Sequence, residues 1–162
     1  MLGQGTTHGE GQAMTLLITT GQSTRTPRMR CALAAEPVAA RVARHLVSAC
    51  FAGQLSASVI ADVGLVITEL VANAVTATGD SGSVEFGAWL DNGDVVLQVI
   101  DQADGEPKKS ADDQDAETGR GLLLVQELTR DWGWTPVPGG KAVWGLISAS
   151  SACSETSSAT PC

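Results

Sequence analysis

The sequence is short of positive charge. It has 10 lysines and arginines against 18 aspartates and glutamates, a formal net charge of -8. A protein that grips a nucleic-acid backbone needs a basic stripe to neutralise phosphates, so this balance argues against direct nucleic-acid binding. It leaves room for a local basic spot that holds a nucleotide, or for a basic protein partner. Metal-thiolate spacing is missing as well. Cys31, Cys50, Cys153 and Cys162 form no C-x-x-C pair, and neither His8 nor His45 stands at zinc-ligand spacing from a cysteine. The four thiols read as free, as in a reducing cytoplasm. The unbroken apolar runs fall far short of the roughly 20 residues that span a bilayer. "AMTLLITTG", near the start, has no basic leader and is not read as a signal peptide. A cytoplasmic protein without membrane contact is therefore expected. No G-x-x-x-x-G-K-S/T occurs, so there is no P-loop, and no internal repeat is visible.

What is present is enough for one domain with a substantial core: 162 residues, 43% of them hydrophobic. Both ends look loose. Residues 1–25 are expected to be a flexible segment, rich in Gly and Thr at the start, and translation could begin at Met1 or Met14. Residues 149–162, a Ser/Thr/Ala tail, have nothing to bury and are expected to be disordered. The folded domain is expected over 26–148.

Within that domain the hydrophobic period changes in a readable order. "RMRCAL" alternates as a half-buried strand does, and "EPVAARVARHLVSACF" then takes up helical spacing. "SASVIADVGLVITELVANAVTAT" predicts a second helix, with Ser56 or Ser58 as its cap. "SVEFGAWL" and "DVVLQVID" read as two strands joined at Asn92-Gly93, a strong hairpin signal. A polar stretch from Gln102 to Gly121 follows, long for a connector and of the length that functional lids have. "LLLVQELTRD" predicts a third helix that begins at Leu122, and "WGWTPVPGGKAVWGLIS" a closing hairpin around "PGG". Helices interspersed with hairpin-linked strands predict an α+β two-layer sandwich. It should have a mostly antiparallel sheet and about three helices on one face.

The second helix carries an unusual pair. Val63, Val66, Ile67, Leu70 and Ala74 share one face at 3.6 residues per turn. Glu69 and Asn73 are i,i+4 neighbours at the rim of that face. Such a pair suits a solvated edge equally well. Chemically, the Asn oxygen is a hard ligand suited to Mg²⁺, and the Glu could deprotonate a hydroxyl. Asp101 ends an apolar strand and could accept from an exocyclic amine, or it could simply start the next turn. Gly105 could admit a flat ligand closely. Gly119 and Gly121 bracket Arg120 just before a helix, where free N–H groups and a cation suit phosphate; a plain helix-entry turn has the same pattern.

Taken in order, E-x-x-x-N on a helix, D-x-x-x-G after a hairpin and G-x-G before a helix resemble the GHKL (Bergerat-fold) ATPases. More narrowly, the chain resembles the small stand-alone bacterial members similar to anti-sigma-factor serine kinases. "ELVANAV" matches their N box, "DQADGEP" their G1 box and "GRGLLLV" their G2 box, and "GGKAVWGLI" is similar to their final strand. The resemblance spans about Arg28 to Ser148. It implies ATP and Mg²⁺ as cofactors, Glu69 as general base, Asn73 as Mg²⁺ ligand and Asp101 as reader of adenine. It implies that Gly105 shapes the adenine pocket and that Gly119, Arg120, Gly121 and Leu122 border the phosphates. It also implies a serine/threonine kinase that acts on a small antagonist protein and controls a sigma factor, with a homodimer as an option. The alternative is a non-catalytic ATP-gated binding module of the same fold. Ala103 departs from the usual first glycine of the G1 box, and Ala142 stands where many relatives have a threonine beside the aspartate.

Overall fold

The computed structural model describes residues 29–79, 81–103 and 118–150, with the backbone alone for 118–120. The expectations for residues 1–25, for Gly105 and for nearly all of the tail fall outside the described residues.

Among the described residues, five strands form one open antiparallel sheet in the order β1-β2-β3-β5-β4. The elements run β1 (Met29–Ala34), α1 (Ala39–Phe51), α2 (Ala57–Thr78), β2 (Ser83–Asp91), β3 (Asp94–Asp101), α3 (Thr118–Leu128), β4 (Asp131–Val137) and β5 (Gly140–Ser148). Both hairpins rest on their turn residues. Asn92 and Gly93 have φ of 49° and 87°, the pair of positive values that a type I′ turn needs. Pro138 precedes Gly139, whose φ is 81°, the order of a type II turn.

All three helices pack on one face of the sheet. Phe86, Val95, Leu97, Val99, Val143 and Ile147 point inward from the strands, and Phe51, Val63, Ile67, Leu70 and Val125 meet them from the helices. The expected α+β two-layer sandwich is what forms. The face expected for α2 is buried as read: Val63, Val66, Ile67, Leu70 and Ala74 are each at most 2% exposed. On the other face of the sheet, Val96, Trp144 and Leu146 form a second buried group with Trp89 against it. The Trp144 ring lies across Gly133, where a Cβ would stand 2.8 Å from Cζ2.

Helix α2 is the central element. Ser56 caps it, its hydroxyl accepting from the Val59 amide at 3.3 Å. Ser56→Ala should lower stability by about 1 kcal/mol, read as a fall in urea midpoint at unchanged slope. At 22 residues α2 is also long and apolar enough, by length and composition, to cross a membrane. The sequence reading of short apolar runs missed this, because the few polar residues interrupt every run yet barely change the whole. In this fold the helix is the wall of the core.

Two boundaries differ from expectation. Helix α3 begins at Thr118, not at Leu122, so Gly119, Arg120 and Gly121 lie inside its first turns. Apolar periodicity marks the first buried residue, Leu122, and the turn before it has no core position to announce it. At the other end, Asp131 belongs to β4 rather than to the helix.

Candidate active site

Glu69 and Asn73 are half-buried on the edge of α2, at the rim where the sequence pattern puts them. Helix α3 docks against that edge. Gly121 is the point of contact: a Cβ there would collide with Glu69 Oε2 and stand 3.3 Å from Cδ. Glycine here leaves room for the carboxylate in its present position. Gly121 is thus a contact of Glu69 as well as a residue of the G-x-G sequence in the first turns of α3.

The other end of the site is built by β3 and β5. Asp101 and Lys141 are directly opposite in the antiparallel register. They are 2% and 4% exposed, and Lys141 Nζ donates to Asp101 Oδ1 at 2.8 Å. The same Oδ1 accepts from the Ala103 amide at 2.9 Å, and Nζ also donates to the Ala103 carbonyl at 3.4 Å. Asp101 is therefore more than the start of a turn. It is a buried carboxylate held by a buried ammonium and a backbone amide. Gly140 makes the close approach possible, because a Cβ there would run into the Asp101 carbonyl.

The two ends are joined along α2. Thr78 at its C-terminus, Gly82 and Gln102 converge, and Gln102 is the neighbour of Asp101. From Thr78 back to Glu69 the helix rises roughly 14 Å at 1.5 Å per residue, with Asn73 between them. An elongated ligand along this wall would meet Asp101 and Lys141 first, then Asn73, then Glu69 and Gly121.

The sequence-derived residues therefore divide. Glu69 and Gly121 are in contact, Asn73 is on the same helix edge, and Asp101 marks the far end. Gly119 and Arg120 are placed by backbone only, in the first turn of α3. Leu122 does not begin the helix; it is the fifth residue and only 4% exposed. Ala142 pairs with Ile100, so its side chain lies on the opposite face of the sheet from Asp101. The residue facing Asp101 is Lys141, which the sequence reading passed over. Its signal was available: Val99 and Val143 are both core positions, and two residues outward from each are Asp101 and Lys141.

The residues present fit a magnesium nucleotide. Among the described residues no group of three His, Cys, Asp or Glu gathers to hold a metal. Mg²⁺ is commonly held by one or two protein oxygens together with the phosphates of its nucleotide. Asn73 offers a neutral carboxamide oxygen from this wall.

A family model described as a histidine kinase-like ATPase domain matches residues 33–145. The crystal structure of the RsbU and RsbW domains of Rv1364c from Mycobacterium tuberculosis is similar at 26% identity and a TM-score of 0.57. That match covers 76% of this chain and 32% of the other, so the chain spans about a third of that relative's length. A blue-light activated histidine kinase from Erythrobacter litoralis matches at 23% identity and a TM-score of 0.46, covering 59% of this chain and 32% of that one. No curated protein matches.

Proposed function

The chain belongs to the histidine kinase-like ATPase family, and from that premise we propose that it is an ATP-binding regulatory protein with serine/threonine kinase activity. It transfers a phosphoryl group to a small antagonist protein and thereby controls a sigma factor, in the cytoplasm. Support comes from one juxtaposition above all: the Glu69 carboxylate packed against Gly121 near the start of α3, with Asn73 one turn along the same edge. Glu69 takes the proton from an acceptor serine as its oxygen bonds to the terminal phosphorus and the bond to the leaving ADP oxygen breaks. Mg²⁺, when bound with ATP, neutralises phosphate charge. Asn73 would hold it, and Asp101 would orient the base through its amine.

Calorimetry with ATP, with and without Mg²⁺, tests the binding half of this reading. Asn73→Ala should remove the Mg²⁺-dependent part of the affinity; unchanged affinity in that variant would mean the pocket is misassigned. Incubation with labelled ATP and candidate antagonist proteins tests the transfer half. Tight binding with no transfer to any partner would instead place the chain with the ATP-gated binding modules.

A further inference from the structure

Lys141 is the residue of the site that nothing above assigns. An ammonium carries three donors. One goes to Asp101 Oδ1 at 2.8 Å and a second to the Ala103 carbonyl at 3.4 Å. Asp101 Oδ1 in turn takes both of its bonds, from Lys141 and from the Ala103 amide. Among the described residues none donates to Asp101 Oδ2, and none accepts the third donor of Lys141. The two side chains thus present an unused acceptor and an unused donor next to each other, in a place almost closed to bulk water. The core residues that β3 and β5 add to this sheet face are aliphatic: Val95, Leu97 and Val99 on β3, Val143 and Ile147 on β5. A buried ion pair usually stabilises a fold no more than an apolar pair of the same volume. Fold stability alone gives little reason for it here.

We propose that Lys141 is a specificity-determining residue: it reads the purine base together with Asp101. The proposal rests on the ATP-binding reading above and deepens it. Adenine presents an amine, a donor, beside a ring nitrogen, an acceptor, at N1 on one edge and at N7 on the other. Asp101 Oδ2 accepts from the amine, and Lys141 Nζ donates to the adjacent ring nitrogen. The Ala103 amide and carbonyl fix the pair, so the donor and acceptor are already oriented when the base arrives. Specificity arises because a base without that ring acceptor leaves a buried ammonium donor unmade, which is costly.

The test uses the full chain and three nucleotides: ATP, 1-deaza-ATP and 7-deaza-ATP, each with one ring nitrogen present or replaced by carbon. One of the two analogues should bind about tenfold to a hundredfold more weakly than ATP, the effect of losing a charge-assisted hydrogen bond. In Lys141→Met the difference between that analogue and ATP should vanish. If the single variant does not fold, Asp101→Asn/Lys141→Met leaves no unpaired buried charge and serves in its place. Equal affinity of the natural chain for all three nucleotides overturns the proposal and leaves the ATP-binding reading standing. Discrimination that persists in either folded variant overturns it too. No binding of any of the three removes the ATP-binding reading itself.

Discussion

Glu69→Ala should leave ATP binding in place and reduce phosphoryl transfer by about 10²–10⁴-fold, the usual contribution of a positioned general base. The expectation follows from where the carboxylate stands. It is half-buried on the rim of α2 and fills the space left by the missing side chain of Gly121. A group there is half-exposed beside α3, where a ligand along the helix wall would meet it. Alanine removes both the base and the packing against α3, so Glu69→Gln is the sharper companion. Glutamine keeps the shape and loses the basicity. Single-turnover transfer from labelled ATP, alongside calorimetric affinity and a thermal melt, separates the two effects. If both variants lose transfer equally while melting as the natural chain does, proton removal is what Glu69 supplies. Transfer at the natural rate in Glu69→Gln would rule out the role.

Gly140→Ala should cause the largest loss of stability among substitutions of the site's glycines. The added methyl would run into the Asp101 carbonyl oxygen, with the Asp101 carbonyl carbon 2.8 Å and the Gln102 Cα 2.9 Å away. These are backbone atoms in a sheet and cannot swing aside. The ends of β3 and β5 must part, which also pulls Lys141 from Asp101. Overpacking in a close-packed interior commonly costs about 1–3 kcal/mol, and this site belongs at or above the top of that range. For a domain with a total stability of roughly 5–15 kcal/mol this is a large share. Gly121→Ala is the instructive contrast, because the atoms its methyl meets belong to the Glu69 side chain, which can rotate. It should disturb the site more than the fold. Urea titration of the two variants measures this difference. A Gly140→Ala midpoint equal to that of the natural chain would show that the sheet end yields freely.

Much of this was legible in the sequence, for identifiable reasons. The apolar stripe of α2 follows a 3.6-residue period with no competing signal, so both its buried face and the rim position of Glu69 and Asn73 could be read. Asn92-Gly93 and Gly139 after Pro138 announce their hairpins through backbone angles that few other residues adopt. The start of α3 was not legible, because polar and glycine residues in a first turn carry no periodic mark. The contact between Gly121 and Glu69 was invisible for a different reason. The two are far apart in the chain, and a glycine's lack of a side chain says nothing about which neighbour needs the room. Lys141 was missed through a choice of position. The family resemblance points to Ala142, whereas strand parity places the next residue toward the N-terminus opposite Asp101.

Helix α2 has a consequence for the birth of the protein. A 22-residue stretch that could pass for a membrane span leaves the ribosome before β2 and β3, two of the strands that will cover it. At about 5–20 residues per second, its sticky face waits seconds for that cover. Until then its aliphatic side chains stand uncovered, and any other apolar surface could compete with the chain's own sheet for them. The tight Asn92-Gly93 turn shortens the competition, since the covering hairpin can close as soon as β3 emerges.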